Sequence, residues 1–302
     1  RNVGLIVQSA VERISYECDC IMATSRSFEA IQEMARVGLL EKIAPELWLG
    51  DGVDQPSFHH LDVLQHNLET LDCMEQLMGQ PARYFPDCPG PLEKYLESRE
   101  NRVMLKWAAL FHDVGKPVVK KSDPQRQDRI TFHNHDEEGS RLFLEFAGRL
   151  KWSKRSRQRV ASLVTMHMHP FHLLSSRSRD GELSRKARLK ICRRAGSELP
   201  GLFLLAMADC LAGQGEAKPA GLEQELAGIY CELDSLYKKS LEPLLAGPKL
   251  LTGDDLIATL ALSPGPMFSS ILEQVETARL EGDIGSREEA LTWVRRYLDN
   301  QK

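Results

Sequence analysis

The segment from Asn101 to Pro117 reads N-R-V-M-L-K-W-A-A-L-F-H-D-V-G-K-P, and it decides the fold. Up to the phenylalanine it is apolar on nearly every face of a helix, which is typical of a helix buried in a core. Gly115 and Pro117 then stop the helix. His112 and Asp113 are therefore expected at its buried C-terminal end, where a polar pair is costly unless it is hydrogen-bonded or bound to a metal.

The nine histidines of the chain lie in four short windows, one of which holds this His-Asp pair. The windows are Phe58–His66, Leu110–Pro117, Thr131–Asp136 and Met166–His172. Histidine is the most common protein ligand of catalytic metals, and aspartate adds an oxygen donor. A single His next to an Asp also occurs by chance, so the metal hypothesis depends on the grouping as a whole.

The composition is that of an ordinary globular protein, with 302 residues of which 42% are apolar and 27% charged. A net charge of −4 excludes a global basic field that would attract nucleic acid, and the apolar runs are too short to predict a membrane span. Seven cysteines without a CxxC pair predict reduced thiols and a cytoplasmic location. The sequence leaves the oligomeric state open.

Apolar residues recur at helical spacing along the chain, and period-2 alternation is almost absent. The chain is therefore predicted to be all-α, with one helix beginning near Ser27, which is placed to cap it. Clusters of Gly and Pro divide it into a helical neck (1–50), a metal-binding domain (51–247) and a helical tail (248–302). The other main helices are predicted at 61–78, 101–111, 135–150, 154–168, 184–195, 198–213, 220–245, 254–262, 267–281 and 286–299.

Four side chains on three predicted helices form the candidate metal site. His66 lies within one helix, and His112 with Asp113 ends another. Asp209 lies on the apolar face of a third helix, although a lone carboxylate there can also be a surface intrusion. Two nitrogen and two oxygen donors suit Mg²⁺, Mn²⁺, Fe²⁺ or Zn²⁺ and leave positions open for water and substrate.

Two further histidines are candidates for a second ion. His135 opens a predicted helix, and His167 ends one shortly before Pro170. With Asp113 as a bridge, they would hold a second metal next to the first. A bridged pair of metals activates water and holds a phosphate in line for attack.

These residues match the HD superfamily of metal-dependent phosphohydrolases, and the surrounding chain resembles the HD-containing family of tRNA nucleotidyltransferases and poly(A) polymerases. The resemblance covers the neck, HD and tail portions that follow the family's nucleotidyltransferase head. It implies an HD-domain helical bundle with N-terminal neck helices and a C-terminal helical tail. The matching stretches are Val11–Ile14, Gly38–Leu40 through Pro45–Leu47, His59–Val63 leading to His66, Leu251–Ile257, Pro264–Pro266, Glu281–Ile284 and Ser286–Trp293.

One departure from the family pattern limits the expected activity. The family's head carries a Gly-Ser-rich nucleotide-binding motif and paired Asp-x-Asp carboxylates on a sheet, and neither occurs in this sequence. Gly253-Asp254-Asp255 falls in a predicted helical tail instead. No nucleotidyltransferase activity is therefore expected from this chain alone, and whether a head was removed or never present is left open.

The resemblance also implies a reaction and a set of ligands. HD domains of this family hydrolyse phosphoesters, with 2′,3′-cyclic phosphate and 2′-phosphate at RNA ends as substrates, using one or two divalent ions (Mg, Mn, Ni, Fe or Zn). Catalytic roles fall to His112, Asp113 and Lys116, the last as a cation for phosphate; a surface role for Lys116 is the alternative. The metal ligands carried over are His66, His112, Asp113 and Asp209, with His135 and His167 for a second ion.

The remaining histidines are assigned lesser roles. His60 resembles a family residue ahead of the first ligand and is expected to support it. His133, His169 and His172 do not fall on motif positions, and the His-x-x-Pro spacing favours His167 over His169 as a ligand.

Two basic runs, Arg149–Arg159 and Arg185–Arg194, stand out in a chain of net negative charge. They predict contacts to a tRNA-like RNA partner, although each run wraps around its helix, so a solvated surface is the alternative. The residues assigned to substrate or RNA are Lys116, Arg155, Arg157, Arg185, Lys186 and Arg188.

Three functions remain open on the sequence alone. The first is a divalent-metal phosphohydrolase acting on phosphoesters at RNA ends. The second is an RNA-binding body of a nucleotidyltransferase in which the metal site is vestigial or structural. The third is an HD hydrolase of free nucleotides, which the basic runs disfavour because a nucleotide pocket needs few cations.

Overall fold

A computed structural model describes residues 3–56, 58–123, 129–265 and 267–299, and almost all regular structure in this part of the chain is helical. The predicted all-α class is confirmed. One short antiparallel hairpin of β1 (Lys121–Asp123) and β2 (Arg129–Thr131) is added, with Lys121 opposite Thr131. Three-residue strands show too little alternation to be predicted from sequence.

Each of the main predicted helices has a counterpart in the structure, whereas the helices at Pro89–Leu96 and His169–Asp180 were not predicted. Short 3₁₀ turns lie at Val3–Gln8 and Gly196–Glu198, and a short π-helical turn lies at Tyr237–Leu241. The helices are α1 (Val11–Met22), α2 (Ser27–Arg36), α3 (Leu39–Ile43), α4 (Pro45–Trp48), α5 (Val63–Gly79), α6 (Pro81–Tyr84), α7 (Pro89–Leu96), α8 (Arg99–Phe111), α9 (Lys116–Val119), α10 (His135–Arg149), α11 (Lys154–Met166), α12 (His169–Asp180), α13 (Arg185–Ala195), α14 (Leu199–Ala212), α15 (Leu222–Leu236), α16 (Glu242–Ala246), α17 (Gly253–Leu260), α18 (Met267–Glu281) and α19 (Arg287–Asp299).

The chain forms two compact units. The first comprises Arg1–Arg179 and Ser197–Cys231, and the second comprises Asp180–Gly196 and Glu232–Lys302. Helix α13 therefore groups with the C-terminal helices α17, α18 and α19. The division into neck, metal-binding domain and tail at residues 50 and 247 stays a prediction.

The core of the first unit surrounds α8 and α14, the two helices that are apolar on nearly every face. Both are packed against α5, and α8 is also packed against α11. Beside them Trp107, Phe111, Phe143, Phe146 and Trp152 form an aromatic cluster with ring centroids 4.6–6.1 Å apart. Tilted and edge-to-face rings pack without voids and hold α8 against α10.

A buried carboxylate holds the N-terminal helices against this core. Glu75 of α5 accepts hydrogen bonds from the backbone N–H groups of Ser27 and Phe28 and from Lys106 of α8. Ser27 is therefore the first residue of α2, and its hydroxyl donates to Glu75 (2.8 Å) instead of capping its own helix. Burial raises the pKa of Glu75, but the hydrogen bonds from Lys106 and Ser27 outweigh it and hold the pKa below its usual value.

The cysteines depart in part from the prediction of reduced thiols. Cys88, before α7, forms a disulfide with Cys231 of α15, with the Cα atoms 5.8 Å apart. The sequence does not predict this disulfide, because 143 residues separate the two cysteines. A cytoplasmic location stays a prediction. Burial raises the pKa of four other thiols to about 12, which makes them unreactive: Cys18, Cys73, Cys192 and Cys210.

The second unit has its own apolar core, formed by Leu256, Ile271, Val275, Ala290 and Val294 of α17, α18 and α19. Thr252 caps α17 reciprocally with Asp255, whose carboxylate also accepts from Arg287 (2.7 Å). The predicted helical tail is thus present.

One stretch, Arg185–Ala212, is long and apolar enough to cross a membrane by these two criteria alone. Of its most apolar window, 72% is buried inside the protein, which is typical of a core helix.

Candidate metal centre

The His-Asp pair lies in the turn between α8 and α9, where both side chains are completely buried. His112 Nδ1 donates to the carbonyl oxygen of Ala109 (2.8 Å), because a carbonyl can only accept. Its Nε2 therefore faces the carboxylates, 3.3 Å from Asp113 Oδ2 and 3.6 Å from Asp209 Oδ1. The buried end of the most apolar helix thus presents an oriented imidazole.

His66 and Asp209 complete this first group. Helix α5 begins at Val63 with Asp62 as its N-cap, so His66 lies in its first turn. Its Nε2 lies 3.0 Å from Asp209 Oδ1 and 3.6 Å from Asp113 Oδ2. Because α14 packs directly on α5, the carboxylate on the apolar face of α14 meets the imidazole on α5.

A second group adjoins the first and shares Asp113. His135 Nδ1 donates to Phe132 O (2.8 Å) and His167 Nδ1 donates to Val164 O (2.7 Å). Their Nε2 atoms lie 3.2 Å apart, and each is 3.4–3.5 Å from Asp113 Oδ1. The two carboxylate oxygens of Asp113 thus face different groups.

These distances fit bound divalent ions. Ligand atoms bonded at about 2.1 Å lie roughly 3.0–3.4 Å apart in octahedral or tetrahedral geometry. His112 Nε2 is buried without a hydrogen-bond partner. The Nε2 atoms of His135 and His167 face each other. Because each Nδ1 already donates its hydrogen to a backbone carbonyl, both facing Nε2 atoms of neutral rings carry lone pairs. Such facing nitrogens repel unless a cation lies between them, so the donor set fits one or two divalent metals.

The electrostatics of the cluster show that its carboxylates are ionised and attract positive charge. Burial raises the pKa of Asp113 and Asp209, but neighbouring cationic groups hold both well below the usual value. Burial lowers the pKa of His66 and of His167, which keeps their rings neutral. Burial also lowers the pKa of His112, yet the two carboxylates outweigh it and raise the pKa to about 10. Two ionised carboxylates in a buried site demand positive charge there.

Close backbone packing brings His135 to Asp113. Gly115 follows the pair, and a Cβ at this position would lie 2.1 Å from His135 O and 2.5 Å from Gly139 N. A side chain is therefore excluded, and the first turn of α10 rests directly on the turn between α8 and α9. Glycine is required here to allow the close approach and not to allow an unusual backbone conformation, because the φ of Gly115 is not positive.

Lys116 lies in the cluster and is only 7% exposed, so the alternative of a surface lysine is wrong. Its ammonium group donates to Asp113, to Gln55 Oε1 (2.7 Å) and to His59 Nε2 (3.4 Å). His59 groups with His66 and Asp113, whereas His60 is exposed. His59, and not His60, is therefore placed where it could support the cluster. No helical periodicity applies to this loop, so the sequence could not decide between adjacent histidines.

None of the other residues singled out in the sequence belongs to the described side-chain groups of this cluster. His169 packs near His172, with ring centroids 6.1 Å apart. In the first basic run, Arg149, Lys151 and Arg159 form ion pairs with Glu46, Glu12 and Glu198. Arg155 and Arg157 lie on α11 in the first unit, while Arg185, Lys186 and Arg188 lie on α13 in the second.

The second unit carries a basic groove between α13 and α18, with a volume of about 570 Å³. Lys186, which the sequence analysis assigned to RNA contact, lines this groove. The other basic residues of the groove belong to the run Arg185–Arg194 but were not assigned to RNA contact individually. The basic residues lining it are Lys186, Lys190, Arg193 and Arg194. Spacings of three and four residues place them along one side of α13.

Comparison with known proteins shows which families this chain is similar to. The HD domain family matches residues 63–196, which contain five of the six predicted ligands. An A-adding tRNA nucleotidyltransferase of Deinococcus radiodurans is 30% identical over 99% of this chain and 61% of the relative. A CC-adding tRNA nucleotidyltransferase of Thermus thermophilus is 32% identical over 94% of this chain and 56% of the relative.

The similarity is broader than the HD domain, but it does not cover these relatives in full. The chain spans less than two thirds of the length of either protein. A multifunctional CCA protein of Actinobacillus pleuropneumoniae is 26% identical over 55% of this chain. The predicted resemblance is confirmed: residues 63–196 match the HD domain family, and the chain is similar to tRNA nucleotidyltransferases along nearly its whole length.

Proposed function

We propose that this chain is a divalent-metal phosphohydrolase that acts on phosphoesters, with 2′,3′-cyclic phosphate or 2′-phosphate at RNA ends as substrate. The observation that carries the proposal is the sharing of Asp113 between two groups of buried imidazoles, with Oδ2 facing His66 and His112 and Oδ1 facing His135 and His167. A structural metal site is normally closed by four ligands, whereas a shared carboxylate between two adjacent groups is typical of hydrolytic sites.

The side chains of the cluster have distinct roles in this proposal. Bound divalent ions supply Lewis-acid activation of water and of the phosphoester. Three imidazoles are held in one orientation by backbone carbonyls, so no reorganisation is needed when ions bind. Lys116 neutralises Asp113 and is close enough to give a phosphate a point charge.

Metal analysis and a hydrolysis assay test this function together. We expect the purified chain to bind a divalent metal and to hydrolyse 2′,3′-cyclic AMP with Mg²⁺, Mn²⁺ or Ni²⁺. Asp113→Asn and His112→Asn should abolish turnover and lower the metal content, whereas the exposed His172→Asn serves as matched control. Absence of turnover with every metal, or full activity of the Asp113→Asn variant, would refute the proposed phosphohydrolase function. Preference for free nucleoside monophosphates over cyclic ends would support the third function named above.

The basic groove of the second unit supports a second candidate, an RNA-binding body. The basic residues along one groove suit a phosphate backbone, although Arg193 is paired there with Glu273 (2.9 Å), and the names of the relatives identify tRNA as their substrate. Binding of tRNA should weaken steeply with salt, and Lys190→Ala should reduce both the affinity and the salt slope. The exposed Lys249→Ala is the control. A flat salt response would argue against RNA binding, and intact RNA binding with no metal would favour this function over the enzyme.

A further inference from the structure

The loop that carries His59 is held in place from both sides. Its ends are pinned by hydrogen bonds from Gly52 N to Asp62 Oδ2 (3.0 Å) and from Val63 N to Val53 O (3.2 Å). Phe58 O accepts from Gly215 N (2.8 Å), just beyond the helix that carries Asp209. The backbone that carries His59 is therefore held in place at the edge of the candidate metal site.

A chain of hydrogen bonds decides which ring nitrogen of His59 carries the proton. Gln55 donates its amide to Leu61 O (3.2 Å), which leaves its Oε1 to accept from Lys116. The ammonium of Lys116 also contacts His59 Nε2 (3.4 Å). An ammonium group has no acceptor, so His59 Nε2 must accept. A neutral ring then carries its hydrogen on Nδ1.

This Nδ1–H group has no acceptor among the described residues. The atom is buried and forms no hydrogen bond, although the ring as a whole is only half-buried. Its ring centroid lies 4.4 Å from that of His66. A buried donor without an acceptor is unfavourable, and such groups in native structures call for an explanation. Beside a metal cluster, a bound anion provides one.

We infer that His59 binds substrate by donating Nδ1–H to a non-bridging phosphate oxygen of the phosphoester. This inference rests on the proposed function and adds a phosphate-recognising residue to it. Lys116 and Gln55 act as positioning residues, because they hold the Nδ1–H tautomer. His59 does not serve as a metal ligand, since its Nε2 is engaged by Lys116 and its Nδ1 has no lone pair to offer.

Three variants separate donation from ligation and from packing. His59→Leu removes the donor, whereas His59→Asn keeps an amide N–H close to the position of Nδ1. His60→Leu, at the exposed neighbour, is the matched control. Binding of inorganic phosphate to the metal-loaded protein is measured by calorimetry, and metal content is measured in parallel. A hydrogen bond to a charged group predicts phosphate affinity about 10- to 100-fold weaker in His59→Leu. Affinity in His59→Asn should stay within about threefold of the parent, with unchanged metal content in both variants.

Nitrogen-15 NMR of the histidine side chains in metal-free protein provides a readout that needs no turnover. We expect the two-bond ¹H–¹⁵N pattern of His59, assigned by its loss in His59→Leu, to show the Nδ1–H tautomer. Loss of metal in His59→Leu would overturn the inference and make the residue a ligand. Unchanged phosphate affinity, or equal weakening in the Asn and Leu variants, would also overturn it. If the parent protein binds phosphate through His59 but hydrolyses no phosphoester, the proposed function fails and the phosphate contact stands.

Discussion

Replacing Gly115 by alanine should remove one of the two candidate metal groups and leave the other in place. The new Cβ would lie 2.1 Å from His135 O and 2.5 Å from Gly139 N, both backbone atoms that cannot rotate away. Relief of these contacts to ordinary van der Waals separation requires α10 to move by about 1 Å or more. His135 would move with its helix, away from Asp113 and His167.

The expected cost follows from the same geometry. Forcing atoms into a filled core destabilises proteins by about 1–3 kcal/mol, and backbone contacts this short place Gly115→Ala at the upper end. Gly139→Ala is a milder version, because its Cβ would meet its nearest neighbours at 3.3 Å. Gly79→Ala is the matched control, since nothing lies within 4 Å of a Cβ there.

Urea denaturation and metal analysis together measure this effect. We expect the free energy of unfolding to fall most in Gly115→Ala, less in Gly139→Ala and hardly at all in Gly79→Ala. Gly115→Ala should also bind fewer metal ions per chain, because His135 moves away from its group. It should not lose all metal, because His66, His112 and Asp209 lie on helices that the substitution does not push. Equal stability and equal metal content in Gly115→Ala and Gly79→Ala would refute the close approach of α10 to the His-Asp turn.

Three further outcomes are expected. Glu75→Gln should destabilise the protein by about 3–5 kcal/mol in urea, because it leaves the buried Lys106 without a charge partner, whereas the exposed Glu29→Gln should not. Because the pKa of Glu75 is held below its usual value, its contribution to stability is present above the usual pKa and is lost as the pH falls through the lowered pKa. If the parent and the Glu75→Gln variant lose stability in parallel as the pH falls, this pH dependence is contradicted. Reduction of the Cys88–Cys231 disulfide should lower the free energy of unfolding by up to about 5 kcal/mol, the chain-entropy value for a loop of this length, and should have no effect on Cys88→Ser.

Local pattern was sufficient for most of the helices and for the burial of the candidate ligands. Helices α8 and α14 are apolar on nearly every face, and a helix of that kind is stable only away from water, which in this structure is the core. A His-Asp pair at the end of one and a carboxylate inside the other must then be buried together, and they are. Prediction succeeded where burial and helical periodicity act on each residue separately.

Contacts between distant segments could not be predicted in the same way. Ser27 looks like a cap, but a carboxylate 48 residues away takes over that role. Arg159 looks like an RNA contact, yet it pairs with Glu198. Each outcome depends on which side chain comes within about 3 Å, and the sequence around either residue does not contain its partner.

By itself, the sequence determined the all-α class and the buried His-Asp turn, because helical periodicity and the cost of burying polar groups act locally. Only the tertiary structure decided that Asp113 faces two groups of imidazoles, that His59 rather than His60 enters the cluster and that Cys88 meets Cys231. The physical reason is that hydrogen bonds, metal coordination and disulfides need atoms within a few ångströms, and only packing of the helices sets those distances.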